Sequence, residues 1–228
     1  MSVNDNSVNI KDVKGRYHHG DLRAALVDEG LRLLAESDAE HLSLREIARN
    51  VGVSPTAVYR HFPDKQALLA ALSVEGGVQL AQRQMAAQEA AGGGRAGFDA
   101  TGRVYVRFAL ENPALFRLMT ARAKNFDMID PATGQLTGLG LLRRNVAALA
   151  APGTSDDAQY VRAIQSWAMV HGLAMLMLEG QVPRDESLID RAVDAATILG
   201  WGQGGFTPAR ADGIDIECQE ESKQPETS

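Results

Sequence analysis

Ser43, Tyr59, His61 and Lys65 are the side chains whose types and spacing best suit the holding of an anion. A serine at a helix start can cap the helix and still leave backbone N–H groups facing a phosphate, because helix N-termini attract anions. Tyr59, His61 and Lys65 fall around the end of one short helix and the start of the next. A phenol, an imidazole and an ammonium there would give hydrogen bonds to phosphate oxygens without reading a base sequence. Lys11, Lys14 and Arg16 form a basic arm ahead of the first helix, well placed to follow a groove. Blander roles stay open: Tyr59 as a half-buried hydroxyl donor, and Arg45 and Arg49 as solvated residues paired with carboxylates such as Glu46.

A second group lies further along. Phe108, Phe116, Met119, Phe126, Trp167, His171 and Met175 could line a cavity for an apolar or aromatic small molecule held by a few polar groups. An aromatic and methionine stripe at helical spacing is equally the pattern of plain core. Trp167 and His171 stand one turn apart on one side of a helix, so indole and imidazole could face a common space, and Gly172 would allow a close helix approach. Arg103, Arg107, Arg117 and Arg122 could meet a carboxylate, and a solvated surface explains them as well. Catalysis finds no support: His18, His19, His41, His61 and His171 make no His-x-x-x-His pair, and Cys218 completes no triad. An enzyme, a metal site and a cofactor are not expected.

The elements that must position these groups are all helical. The 228 residues carry 45% apolar and 23% charged side chains and a net charge of −6, the composition of a globular chain without a general basic coat. The single cysteine excludes intrachain disulfides and points to a reducing compartment. No secretory leader is visible, no run approaches eighteen uncharged apolar residues, and a cytoplasmic protein without membrane attachment is expected. Leu22, Leu26, Leu33 and Leu34 mark a first helix from near Asp21 to Glu36, with Gly30 inside it suggesting a closely packed neighbour. Ser43 with Glu46 reads as a capping box, Gly52 as a stop, and Ser54-Pro55 as a restart ending before Pro63. Two short helices around a glycine turn have helix-turn-helix spacing, which a generic helical hairpin shares. Phe62, Leu44, Ile47, Val51 and Val58 are expected in the core. Asp64 caps a fourth helix that ends at Gly92–Gly94, and helices follow near 96–111, 113–123, 132–150, 157–179 and 186–201.

The run LSLREIARNVGVSPTAVYRHFPDKQALLAAL at 42–72, with RYHHGDLR at 16–23, resembles the N-terminal DNA-binding domain of the TetR family of bacterial transcription regulators. The joint pattern is specific: Ile47-Ala48, the Gly-Val-Ser turn, Tyr59 with His61-Phe62, Asp64-Lys65 and Leu68-Leu69. Trp167 with His171-Gly172, and NPALFRLM at 112–119, resemble a C-terminal subgroup called WHG after those residues.

The resemblance implies an all-α fold of about nine helices. A flexible leader at 1–15 would precede a three-helix helix-turn-helix domain at 16–64 and a ligand-binding and dimerisation bundle at 65–203. An acidic, disordered tail would follow at 204–228, where 208–228 hold six acidic residues against Arg210 and Lys223. It further implies that Ser54, Pro55, Thr56 and Ala57 open a recognition helix in the major groove, with Thr56 and then Arg60 as base readers. Ser43 and Arg45 would start the second helix, Tyr59, His61 and Lys65 would grip phosphate, and Arg16 and Tyr17 would belong to an arm reaching DNA. The implied function is a homodimeric repressor, paired through the helices near 157–179 and 186–201, released from a near-palindromic operator by a small effector. A regulator with no small-molecule effector, controlled by a protein partner or acting as an activator, is the alternative. Residues 40–65 carry four basic side chains against three acidic ones, so affinity should need dimeric avidity and fall with salt.

Overall fold

The computed structural model describes residues 22–122 and 137–194, and among these residues it contains nine α-helices and no strand. The leader, Arg16, Tyr17, the expected cap Asp21, Phe126 and the acidic tail lie outside the described residues.

The first helix, α1 (Leu22–Glu36), buries Leu26, Val27, Gly30 and Leu34. Gly30 is there because a Cβ would sit 2.9 Å from Leu72 Cδ2 on the fourth helix, as its place inside a helix suggested. Helix α2 (Leu44–Val51) begins after Ser43, whose backbone is extended but whose side chain makes no capping hydrogen bond. The expected capping box is therefore not formed. Glu46, its other half, is held instead by the Arg49 guanidinium at 3.0 Å. Gly52 closes α2 at φ 81°, and Val53 N–H reaches back to the Ala48 carbonyl at 2.9 Å.

Helix α3 (Pro55–His61) starts at Ser54, whose hydroxyl accepts from Ala57 N–H at 3.2 Å, with Pro55 filling the first position. Asp64 caps α4 (Lys65–Ala90) by accepting from Ala67 N–H at 2.8 Å. This long helix packs against α1 and, further along, against α5 (Gly94–Glu111), α6 (Pro113–Arg122) and α7 (Gly138–Leu149). Thr137 caps α7, its hydroxyl accepting from Gly140 N–H at 2.9 Å. Helix α8 (Asp156–Leu178) lies on α5 and α7, and α9 (Glu186–Ala192) lies on α5. Of the last helix expected at 186–201, α9 covers Glu186–Ala192, Val193 leaves helical geometry, and residues 195–201 lie outside the described residues.

One apolar core runs through the chain. It includes Leu26, Leu44, Ile47, Val58 and Phe62, continues through Leu68 and Leu72 of α4, and ends among Phe116, Val170, Met177 and Ile189. Val51 is only partly buried at its margin. A smaller cluster of Phe98, Val146 and Ala163 ties α5, α7 and α8.

Among the described helices, α8 alone is long and apolar enough to cross a membrane by length and composition. Its inward side, with Ala163, Val170, Ala174 and Met177, is core, while Val161 and Leu176 remain more than two-fifths exposed. Gly172 does not serve a close approach within the chain: a Cβ there would meet nothing within 4 Å. A small residue on this helix faces outward, not toward a neighbour of its own subunit.

Candidate nucleic-acid interface and bundle interior

The start of α2, the end of α3 and the start of α4 enclose a shallow concavity of about 440 Å³ lined by Leu42, Ser43, Leu44, Arg45, Tyr59, Pro63, Asp64 and Lys65. Four of the residues expected to meet DNA are thus gathered on one face. The first N–H groups of a helix have no partner within it, and the Ser43 hydroxyl does not take one up. The first turn of α2 therefore lines the concavity, together with Tyr59, without a capping side chain on its donors. Lys65 is more constrained than its sequence suggests, since its ammonium donates to the Glu40 carbonyl. It braces the loop before α2 as well as supplying charge. The Asp64 carboxylate is occupied in capping α4.

Ser54, Pro55 and Thr56 stand exposed at the start of α3, with Ala57 half-buried behind them and Arg60 and His61 exposed further on. His61 is not among the residues lining the concavity. Tyr59 is 44% exposed, a large side chain left to solvent while Val58 beside it is fully buried. Arg49 pairs with Glu46, the solvated role the sequence allowed for it.

Those residues expected to share a cavity that the structure describes occupy four surroundings. Phe116, Trp167 and His171 gather around Tyr105, a residue the sequence reading passed over. The Trp167 indole N–H donates to the Tyr105 hydroxyl at 3.1 Å, and that hydroxyl lies 3.0 Å from His171 Nδ1. With the Trp167 N–H donating to it, the tyrosine oxygen can give its own hydrogen to Nδ1, an arrangement in which the neutral imidazole carries its proton on Nε2. Burial pushes the Tyr105 phenol up to about 12 and lowers the imidazole from its ordinary value, so both are held uncharged near neutrality. The Phe116 ring meets Tyr105 edge-on at 5.4 Å and His171 at 5.7 Å.

Phe108 instead lies under the Arg83 guanidinium at 5.2 Å, and Met119 packs on Gly76, where a Cβ would come within 2.6 Å of its sulfur. Met175 is partly buried against the main core. Periodicity already held the signal for Tyr105: it sits on the inward face of α5 with Phe98, Thr101, Phe108 and Ala109. A tyrosine so placed needs a hydrogen-bond partner from a neighbouring helix.

The four arginines divide similarly. Arg107 holds Glu186 at 2.7 Å and Asp190 at 2.9 Å, while Arg103 donates to the Val193 carbonyl at 3.2 Å, so both clasp α9 onto α5. Gly102 lets α9 come close, since a Cβ there would lie 2.7 Å from Val193 Cγ1. Arg122 bonds the Gln66 side chain at 2.9 Å, tying the end of α6 to the first turn of α4. Arg117 is exposed.

An exposed helix-turn-helix on an all-helical bundle defines a class of DNA-binding regulator, and comparison with known proteins makes the class specific. Residues 26–72 match the family model described as bacterial regulatory proteins of the tetR family, and residues 98–197 match the tetracyclin repressor-like C-terminal domain. Over 98 residues, 42% of this chain, it is 35% identical to an uncharacterized HTH-type transcriptional regulator of Haemophilus influenzae. The aligned stretch spans 48% of that relative's length. A protein of unknown function from Rhodococcus sp. RHA1 has a structure similar over 82% of this chain and 97% of its own, with 33% identity and a TM-score of 0.65. A TetR variant from Acinetobacter baumannii, solved in complex with minocycline, is 16% identical over 78% of this chain and 91% of its own, with a TM-score of 0.52, and shares the fold alone. The chain belongs to the TetR family, transcription regulators with an N-terminal DNA-binding domain.

Proposed function

We propose that the protein is a cytoplasmic, homodimeric repressor that binds a near-palindromic operator and is released by a small, largely apolar effector. The observation that carries the DNA half is the concavity at the start of α2, where Ser43, Arg45, Tyr59 and Lys65 converge beside the exposed first turn of α3. A phosphate seated there would orient α3 in the major groove, with Thr56 and Arg60 placed to read base edges and Ser54, Pro55 and Ala57 against the groove wall. Arg16 and Tyr17 would extend the contact along the duplex, and His61 would reach the backbone beyond the concavity.

Dimerisation through α8 and α9 is supported by the outward side of α8. Val161, Leu176 and the open position at Gly172 form an apolar strip that a second copy would cover. An effector held among α4 to α8 would favour a spacing of the two α3 helices that misfits successive major grooves, about 34–36 Å apart. The minocycline complex of the Acinetobacter protein is in keeping with such a mechanism on this fold. Phe108, Phe116, Met119, Phe126, Trp167, His171 and Met175 are the aromatic and thioether surface that an apolar effector would meet.

One observation favours a regulator without an effector: Trp167, Tyr105 and His171 satisfy one another, and Phe108 and Phe116 are 1% exposed, so this part of the interior is closed.

Selection of genomic fragments by the purified protein at about 0.1 M salt, read by sequencing, tests the proposal. Enrichment of a near-palindrome is expected, and recovery of unrelated fragments at background frequency by folded protein would overturn it. Sedimentation of the same preparation should give a dimer.

A further inference from the structure

We propose that Gln84 is the polar anchor of a small-molecule site between α4 and α7, and that the ligand is an uncharged molecule donating a hydrogen bond from a hydroxyl or N–H group. The proposal rests on the effector reading and names the chemistry the effector must carry. Gln84 is 7% exposed, and its Nε2 donates to the Thr101 carbonyl at 3.1 Å. Its Oε1 is buried and accepts no hydrogen bond from the described residues. Turning the amide over would set oxygen against the Thr101 oxygen, so the contact to Thr101 fixes which end is left over.

One turn further along α4 the same chemistry is complete. There Gln88 Oε1 accepts from Asn145 Nδ2 of α7 at 3.0 Å. At the level of Gln84, α7 presents Gly138 in place of a polar side chain. A Cβ on that glycine would lie 3.2 Å from Oε1 and 3.8 Å from Leu80 Cδ2. Among the described residues nothing else comes within 4 Å of that point, so the glycine leaves room beside an acceptor that no described residue matches. Buried acceptors are rarely left so, and an unmatched one is the group a bound donor satisfies. A bare amide oxygen disfavours an anion, and Leu80 beside it favours an apolar body behind the donor.

The aromatic cluster does not compete for this role. The Trp167 N–H, the Tyr105 hydroxyl and His171 Nδ1 are already bonded to one another. Each of those groups already has a hydrogen-bonding partner beside it, whereas Gln84 Oε1 accepts from no described residue.

The test uses the full chain and two fragments, phenol as the donor and toluene as its near-isostere without one. Binding is followed through the Gln84 side-chain amide resonance, assigned by its loss in Gln84→Leu, and by calorimetry. Phenol should shift that resonance saturably, and its affinity should fall about fivefold to tenfold in Gln84→Leu while toluene binds no more weakly. Gly138→Ala keeps the amide but fills the space beside it, so it should weaken both fragments, and it carries the test if Gln84→Leu does not fold. Equal phenol affinity in wild type and Gln84→Leu overturns the proposal. So does the absence of phenol binding, which would leave Gln84 facing water only. A compound that releases DNA equally from wild type and Gln84→Leu would overturn the anchor while leaving the effector reading intact.

Discussion

Trp167 and Tyr105, sixty-two positions apart in sequence, are joined by a hydrogen bond of 3.1 Å from indole nitrogen to phenol oxygen, and this bond ties α8 to α5. The same oxygen faces His171 Nδ1 at 3.0 Å, so the tyrosine serves two partners on successive turns of α8. Tyr105→Phe keeps the ring and strands both partners. The expected loss is about 1–3 kcal/mol of unfolding free energy, since partly buried polar groups lose their match. Urea unfolding followed by tryptophan fluorescence would show it, and an unchanged midpoint would mean that water replaces the hydroxyl.

Acidification should act through His171. Burial lowers its folded value below the ordinary 6.5, so between the two values the unfolded chain binds a proton that the folded chain refuses. Stability contributed by this residue is therefore present above 6.5 and lost as the pH falls through that value toward the folded one. His171→Asn should flatten the decline in unfolding free energy between about pH 7.5 and pH 5. Parallel curves for the two proteins would show that the imidazole keeps its ordinary titration.

Close packing at Gly102 predicts a steric penalty. An added methyl would meet Val193 Cγ1 at 2.7 Å and Val170 Cγ1 at 3.2 Å, both on short branched side chains with little room to yield. Gly102→Ala should cost about 1–3 kcal/mol despite the gain in helix propensity. Amide exchange in α9 should accelerate with it. Arg107→Ala, which removes partly exposed ion pairs to Glu186 and Asp190, should cost at most about 1 kcal/mol.

At the proposed DNA surface, Tyr59→Phe combined with Lys65→Ala should weaken binding to every duplex by similar factors, because phosphate contacts carry no base information. Thr56→Ala should instead relax discrimination at particular base pairs by about 1–3 kcal/mol. A randomised operator library separates the two. Unchanged relative affinities would remove Thr56 as a reader, and an altered preference in the double variant would remove Tyr59 and Lys65 as phosphate contacts.

Local signals carried the helix-turn-helix well. Ser54-Pro55, Asp64 and Gly52 act on their own neighbours within three or four residues, so their roles could be read from spacing. Ser43 shows the limit even there, because Glu46 had a second suitor in Arg49. Gly30 and Gly172 show a further limit. Both are glycines inside helices, but one faces Leu72 of its own chain and the other faces outward. A one-dimensional pattern does not say whose surface a small residue receives. The Tyr105 cluster and the Gln84 oxygen were harder still, since each depends on helices brought together from distant stretches.

The shared core has a bearing on how freely such a reader could be recombined. Leu26, Ile47 and Phe62 are covered in the same apolar mass as Leu68 and Leu72, which belong to α4. Arg122 of α6 reaches that same first turn of α4 through Gln66. A graft cut after Pro63 would therefore carry a recognition surface with no floor beneath it. The smallest portable unit includes the opening turns of α4 and a substitute for the brace from α6. Whatever bundle receives the reader then receives a grip on its orientation as well.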